Sequence, residues 1–204
     1  MGSVVSSSVE ICNLAIADLG GKTLTNITDD SKEGRFCNRR YANLRDSVLR
    51  AHPWNFATKR VELARSTTDP VFKYAYAHTL PSDFLRLLGT NEDSTDFEYK
   101  IENGVIASDA GSLKIKYIFR QENVNRYDSL FVEALAARIA AALSYPLTGD
   151  RNLSHSFWEE YKNKVSEAWS ADGMEGSPDR LIADEWIEAR LSGVDSYRPI
   201  DTGV

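Results

Sequence analysis

The stretch Arg39–Ala57, RRYANLRDSVLRAHPWNFA, contains the boundary between two kinds of sequence. The apolar residues around its first half recur at helical steps of 4, 3 and 4: Cys37, Tyr41, Leu44 and Val48. Pro53 disfavours helical backbone in the residue before it, so this helix is expected to end at His52. Two large aromatic side chains, Trp54 and Phe56, follow at once. We therefore predict a buried elbow, formed by Pro53, Trp54 and Phe56, where a helical part of the chain meets a different part.

Two helices are predicted on the N-terminal side of the elbow. The first carries apolar residues at helical spacing from Val9 to Leu19, with Ser8 as its cap and Gly20-Gly21 as its end. Asp30 or Ser31 caps the second. The positions of the second helix outside its apolar stripe are basic: Lys32, Arg35, Arg39, Arg40, Arg45 and Arg50. This face is either an ordinary solvated surface or a docking surface for an acidic partner, with Arg39 and Arg40 as candidate contacts.

Short strands are predicted after the elbow, because the helical period disappears between residues 57 and 120. Apolar and polar residues alternate over Val71–Tyr76, and most clearly over Leu113–Phe119. Asn103-Gly104 separates two such runs and is a strong signal for a two-residue hairpin turn. These features favour several short antiparallel strands.

Two further helices are predicted after residue 128. The segment Phe131–Tyr145 is nearly all apolar and rich in alanine, which is typical of a central helix, and Pro146 is expected to end it. The last helix is expected to end at Gly173. Its apolar stripe consists of Leu153, Phe157, Tyr161, Val165 and Ala168.

The order of these elements predicts an α+β protein. Residues 1–56 and 124–173 are expected to form a four-helix bundle, interrupted by a small antiparallel β lobe over residues 57–123. Residues 174–204 are expected to form a C-terminal extended or helical tail. Within the tail, Ile182, Trp186 and Ala189 share one face at steps of 4 and 3. That face either packs back on the body or anchors in a groove of another chain.

The composition is that of a globular protein, with 204 residues, 42% hydrophobic and 26% charged. It excludes a disordered or fibrous chain. No run is expected to reach the roughly 18 apolar residues of a membrane span, and the first ten residues do not have the pattern of a signal peptide. The two cysteines, Cys12 and Cys37, both fall in helical patterns and are expected to be buried thiols rather than a disulfide.

The negative charge is concentrated near the C-terminus. The net charge is -6, and the stretch from Asp172 to Val204 contains eight acids and three bases. A nearly neutral body with an acidic tail argues against a surface that binds nucleic acid by charge neutralisation.

The sequence contains no pattern of catalytic or ligand-binding residues. His52, His78 and His155 are scattered, and none has a second ligand at metal-site spacing. Phosphate-binding glycine motifs and the GxSxG nucleophile motif do not occur. Adjacent acids such as Asp29-Asp30 do not face one another on a helix. We predict no catalytic residue, no metal ligand and no cofactor, and hence a protein that is not an enzyme.

Several blocks of the sequence resemble one family. The opening Ile11–Gly20, ICNLAIADLG, resembles an NLAL..LG start, and Arg39–Ala57 resembles a Y…RD..L..HPWNFA block. Tyr74–Arg86 resembles a Y.LP.D.LR block, and Phe131–Gly149 resembles a less specific alanine-rich region. In this order, over residues 9 to 149, they resemble the head-to-tail adaptor proteins of tailed bacteriophages, also called tail tubular protein A or gatekeeper.

The resemblance implies a structural role in the virion. Adaptors of this family form a ring, usually twelve-fold, that joins the portal protein to the next tail component, a nozzle or stopper. The expected place is thus the neck of a virion assembled in the host cytoplasm, with no membrane partner. Genome DNA would pass through the ring without sequence-specific binding. Twelve copies would carry about 72 negative charges, and acids lining the conduit would repel DNA phosphates. The alternative is another neck protein, such as a head-closure or tail-completion ring protein.

Overall fold

The computed structural model describes residues 7–92 and 97–175, nearly all within the first of two units into which the chain divides, Met1–Gly173. Its α-helices are α1 (Ser8–Asp18), α2 (Lys32–Ala51), α3 (Ser129–Thr148) and α4 (Arg151–Met174). Its strands are β1 (Thr58–Glu62), β2 (Tyr76–Thr79), β3 (Phe84–Thr90), β4 (Tyr99–Glu102), β5 (Val105–Ser108) and β6 (Lys114–Phe119). The prediction of a mixed α+β protein is confirmed.

Serine side chains cap the first two helices. Ser7, and not the predicted Ser8, caps α1, because its hydroxyl accepts from the backbone of Glu10 while the Glu10 carboxylate accepts from the backbone of Ser7. Ser31, one of the two predicted caps, accepts from the backbone of Gly34 at the start of α2. The helix α1 ends at Asp18, just before Gly20 with its positive φ of 67°.

The helices α1 and α2 both pack on α3, which lies at the centre of the larger hydrophobic core. The stripe predicted for α2 is buried at every position, from Cys37 to Val48. The helix α4 contributes Phe157, Val165 and Ala168 to the same core, as its apolar spacing predicts.

The helix α3 is apolar and long enough, by length and composition, to span a membrane, with a mean hydropathy of 1.4. The expectation that no segment reaches this length is therefore wrong. However, 61% of that segment is buried inside the protein, and its central packing accounts for its composition.

Two predicted helix ends are wrong. The helix α3 continues past Pro146 to Thr148 and ends at Gly149, which has a positive φ of 76°. A proline in the last turn removes only one intrahelical donor, so the helix can continue for a few residues. The helix α4 likewise includes Gly173 and runs to Met174.

The strands form two small antiparallel sheets. One has the order β1-β6-β3 and the other the order β2-β5-β4. The predicted turn joins β4 and β5, with positive φ angles of 46° at Asn103 and 75° at Gly104. Both positive angles are those of the turn type that fits the twist of a two-residue hairpin. Apolar residues of both sheets, including Ile106 and Ile115, pack together in a second, smaller core.

The predicted strand over Val71–Tyr76 is wrong except at its last residue, where β2 begins. Lys73 has a left-handed φ of 72°, which interrupts the extended backbone. Val71 and Phe72 are 98% and 82% exposed, so their alternation does not reflect a buried face.

Candidate functional site: the helix–sheet joint and the basic face of α2

The backbone turns sharply where α2 meets β1. Ala51 ends the helix, and His52 before Pro53 is extended, with φ of -132° and ψ of 150°. A single 3₁₀ turn over Asn55–Ala57 then leads into β1. The Thr58 hydroxyl donates to the Trp54 carbonyl at 2.7 Å and fixes the exit from the turn. We call residues His52–Ala57, with the side chains that contact them, the helix–sheet joint.

Trp54 is the centre of the joint. Its side chain is fully buried, and its ring meets that of Phe131 edge to face at a centroid distance of 5.0 Å. The indole Nε1 donates to the carbonyl of Val48 at 3.0 Å, so the one polar atom of the side chain is satisfied. Phe56 is half-buried and packs edge to face on the same Phe131 ring. Trp54 and Phe56 therefore hold α2 and α3 together at the start of β1. Pro53, the third residue of the predicted buried elbow, is instead exposed, and its effect is to end the helix.

The end of α4 clamps the joint from the other side. The carboxylate of Asp172 accepts from the backbone of Asn55 at 3.0 Å and contacts Nε2 of His52 at 3.2 Å. The Asn55 side chain donates to the Asp172 carbonyl at 2.8 Å, and the His52 ring stacks on Trp169 at 5.5 Å. Burial lowers the pKa of His52 below its usual 6.5, although Asp172 opposes that shift. The imidazole is thus neutral near pH 7.

Sequence reasoning missed this clamp. It counted Asp172 among the acids of the C-terminal tail, whereas Asp172 lies in α4 and is bound to the joint. The helical stripe of α4 contained the signal, because Trp169 and Asp172 follow Val165 at steps of 4 and 3.

Two arginines join the last turn of α2 to β3. Arg86 of β3 donates to the carbonyls of Arg50 and Ala51 at 3.0 and 3.2 Å. Arg50 in turn donates to the carbonyl of Leu85. The last carbonyls of a helix have no intrahelical donor, so a guanidinium placed there satisfies them and complements the helix dipole.

A charge network continues from α2 into the sheet. Arg45 is only 7% exposed and contacts Asp46 at 2.9 Å and Glu122 at 3.3 Å. The second oxygen of Asp46 accepts from Arg120 at 2.7 Å. Arg45 therefore does not belong to a solvated basic face, which corrects the sequence-based grouping of the α2 bases.

Asp83 fixes the start of β3. It accepts from Lys59 at 2.8 Å and from the Tyr117 hydroxyl at 3.0 Å. Burial tends to raise the pKa of the Asp83 carboxyl, but these two hydrogen bonds outweigh it and the pKa lies below its usual range. Asp83 is thus a carboxylate that ties β1, β3 and β6 together.

The remaining bases of α2 form what we call the basic face: Lys32, Arg35, Arg39 and Arg40. Arg35 pairs with Asp30 at 2.7 Å, and Arg39 is exposed. Lys32, Arg35, Phe36 and Arg39 line a shallow concavity of about 400 Å³. The other two bases point to α3, since Lys32 donates to the Leu147 carbonyl and Arg40 donates to the Ala142 carbonyl.

The contact of Arg40 explains why α3 passes Pro146. Proline has no N–H, so the carbonyl four residues earlier, that of Ala142, loses its intrahelical donor. The Arg40 guanidinium supplies a donor at 3.1 Å instead. Arg40, a candidate docking residue by sequence, thus has a role within the chain. The candidate docking residues of the tail, Ile182, Trp186 and Ala189, lie outside the described residues.

The histidines lie in three separate places: His52 in the joint, His78 buried in β2, and His155 on the exposed surface of α4. Within residues 7–92 and 97–175, no three His, Cys, Asp or Glu residues are grouped so that they could hold a metal ion. Cys12 and Cys37 are buried free thiols, as predicted. A hydrogen bond between them, together with burial, raises the pKa of Cys12. The described arrangement is one of packing and hydrogen bonds between elements.

No protein-family model matches this sequence, and no curated protein matches it significantly.

Proposed function

We propose that the protein is a structural component of a tailed bacteriophage virion, a head-to-tail adaptor. It forms a ring between the portal protein and the next tail component, and it helps to retain the genome and to pass it during ejection. In this proposal the four helices act as one bundle, residues 57–123 are the inserted β lobe, and residues 174–204 are a docking tail. The protein is not an enzyme and uses no cofactor.

One observation carries the proposal: the second and third of the sequence blocks that resemble the adaptor family contact each other at the helix–sheet joint. The RD pair of the second block is Arg45-Asp46, which lies in the charge network beneath the joint. The HPWNFA hexapeptide forms the joint, and Arg86 of the third block caps α2 beside it. Arg86 thus binds the second block directly, through the carbonyls of Arg50 and Ala51.

The nature of these contacts also supports a mechanical role. A ring component must transmit force between its neighbours without changing its own shape. The joint is fixed from α2, α3, α4 and β3 at once, by a buried indole, an aspartate clamp and two arginines. Such a joint keeps the orientation of the strands relative to α2.

The tail has a separate proposed task. Ile182, Trp186 and Ala189 would dock on the portal or on a neighbouring adaptor, while the acids between them stay in solvent. A segment this short is marginal as an isolated helix in water, so it would gain its order from the partner. Arg39 on the basic face is a candidate contact for an acidic partner.

A reconstruction of the virion neck by electron cryomicroscopy, with this chain assigned to density, tests the proposal. An adaptor lies directly beneath the portal. A head-closure or tail-completion protein, the alternative, lies further along the neck, and its position there would replace the first assignment by the second.

A further inference from the structure

The outer edge of β4 carries a charge pattern that complements itself. This strand lies at the edge of the sheet β2-β5-β4 and contains a base, an apolar residue and an acid in sequence: Lys100, Ile101 and Glu102. All three residues are exposed. We call this triplet the edge motif.

The opposite edge of the same sheet is covered by the chain itself. Residues 64–66 run along β2, where the Ser66 N–H donates to the Ala77 carbonyl and the Thr79 N–H donates to the Ala64 carbonyl. Within residues 7–92 and 97–175, by contrast, no backbone segment pairs with the outer edge of β4. An unpaired edge is a template for a further strand.

The hairpin turn determines which backbone groups of β4 point outward. Glu102 and Val105 flank the two-residue turn and are the pair that bonds across it. Bonded and non-bonded pairs alternate along an antiparallel ladder, so the backbone of Lys100 also points to β5. The N–H and C=O of Ile101 lie between these two and point away from β5. They are therefore placed to bond to another strand.

A second copy of β4 fits these groups about a two-fold axis at Ile101. If the two strands lie antiparallel with Ile101 opposite Ile101, each of these residues donates its N–H to the carbonyl of the other. Lys100 of each copy then lies opposite Glu102 of the other, at positions of the non-hydrogen-bonded kind, where side chains approach most closely. Opposite charges directly across a strand pair stabilise it.

Both charges of the edge motif are available for this contact. The side chains of Lys100 and Glu102 make no ion pair or hydrogen bond with any residue that the structure describes. On β5 they lie opposite Ala107 and Val105, which are uncharged. A second copy would thus give each charge a partner without taking one away from an existing pair.

The charges also distinguish this register from its two neighbours. With Lys100 opposite Lys100, the outward groups of Tyr99 and Ile101 would still be bonded, but two bases would lie side by side. With Tyr99 opposite Tyr99, Lys100 would need Glu98 of the second copy, and Glu98 is already paired with Lys73 at 3.2 Å. The register centred on Ile101 is the one that satisfies both the backbone and the charges.

The apolar residues of the edge favour the same contact. Ile101 lies opposite Ile106 of β5, which is fully buried in the smaller core, yet Ile101 itself is 41% exposed. Pairing two copies would place Ile106, Ile101 and their counterparts in one continuous row across the joined sheets. The exposed apolar surface at the edge would then be covered by the same residue of the other copy.

We propose that two copies of the free protein pair through β4, antiparallel and with Ile101 opposite Ile101. The partner of this edge is a second copy of the chain. Such a two-fold contact closes at two copies, whereas neighbours in a cyclic ring meet through two different surfaces. The pairing therefore belongs to the free protein and does not rest on the proposed function. The exposed ion pairs set its register more than its strength, so the dimer forms at high concentration and low salt.

Disulfide trapping with single cysteines tests the pairing. Opposite residues of a hydrogen-bonded antiparallel pair have Cα atoms about 5.5 Å apart, which a disulfide can bridge. The matched control for Ile101→Cys is Tyr99→Cys, because Tyr99 lies on the same face of β4 and is 43% exposed. In the proposed register the two Tyr99 positions are about 14 Å apart, too far for a disulfide.

We expect roughly tenfold more disulfide-linked dimer for Ile101→Cys than for Tyr99→Cys under mild oxidation, since only the first meets the geometry of the bond. The unmodified chain, in which Cys12 and Cys37 are buried, gives the background. Equal yields for the two variants would overturn the proposal. So would a higher yield for Tyr99→Cys, or preferential linkage between the two variants in a mixture, because these results indicate the two other registers.

Charge reversal gives a second test of the register. Lys100→Glu or Glu102→Lys, each added to Ile101→Cys, places like charges opposite each other on both sides of residue 101 and should reduce the linked dimer to the level of Tyr99→Cys. The two changes together restore a motif that complements itself, so the dimer should return. A yield that ignores the single reversals would contradict the proposed register. Circular dichroism of each variant confirms that it is folded.

Sedimentation velocity reads the same contact without an added cysteine. At low salt the dimer fraction of the unmodified chain should rise with concentration, and Lys100→Glu should remain monomeric over the same range. An unmodified chain that stays monomeric, or a Lys100→Glu variant that dimerises equally, would overturn the pairing. Neither result bears on whether the chain lies in a virion neck, so the adaptor assignment stands or fails separately.

Discussion

Trp54 is fully buried, its indole N–H is hydrogen-bonded, and its ring packs edge to face on Phe131. Truncation to alanine removes all three and leaves a cavity. We expect Trp54→Ala to lower the free energy of unfolding by about 3–5 kcal/mol, measured by urea denaturation. Phe72→Ala, at an aromatic residue 82% exposed, is the control and should cost roughly 1 kcal/mol or less. A loss below about 1 kcal/mol for Trp54→Ala would show that the indole is not part of the core.

His52 predicts a specific dependence of stability on pH. Burial lowers its pKa below 6.5 in the folded chain, so the unfolded chain binds the proton more readily. The free energy of unfolding should therefore fall as the pH falls from about 6.5 through the lowered pKa of the folded state. His52→Gln should show a shallower fall over that range, measured by denaturation at a series of pH values. Wild-type stability that rises relative to His52→Gln on acidification would mean that Asp172 outweighs burial and that the sign is reversed.

At the scale of elements, Arg40 and Pro146 are expected to be coupled. Arg40→Met removes the donor to the Ala142 carbonyl and should cost about 0.5–1.5 kcal/mol in urea denaturation. In a Pro146→Ala background, the new backbone N–H of residue 146 can donate to that carbonyl, so the same Arg40→Met change should cost less than about 0.5 kcal/mol. Equal costs in the two backgrounds would show that the two residues act independently.

The elements differ in how well their sequence predicts them. The stripe of α2, the hairpin turn at Asn103-Gly104 and β6 follow from local periodicity and turn chemistry, and the structure confirms them. The strand expected at Val71–Tyr76 fails because alternation alone does not report burial. The end of α3 fails because the donor that compensates Pro146 comes from another helix, 102 positions away.

The same limit applies to the joint. Its aromatic centre at Trp54 could be predicted, because a proline after a helix followed by two aromatic residues indicates a buried corner. The stripe of α4 places Asp172 on the same side as Val165, but the backbone atoms that Asp172 and Arg86 bind could not be predicted, because they are distant in sequence. Local patterns carry no information about which distant side chain satisfies a given backbone atom.

At the scale of the whole molecule, the proposed function treats the chain as one unit of a ring. The joint fixes the strands against α2. In that proposal the tail, with Ile182 and Trp186, is a separate attachment to the portal or to a neighbouring copy.

The neck reconstruction tests the central claim most directly. The account predicts a closed ring of this chain immediately beneath the portal. It also predicts the helix–sheet joint intact in every copy, and residues Ile182 to Ala189 in density against the portal or a neighbouring copy. Density for the tail elsewhere would remove its docking role but leave the adaptor assignment. A neck in which the position beneath the portal is filled by a different chain would contradict the central claim.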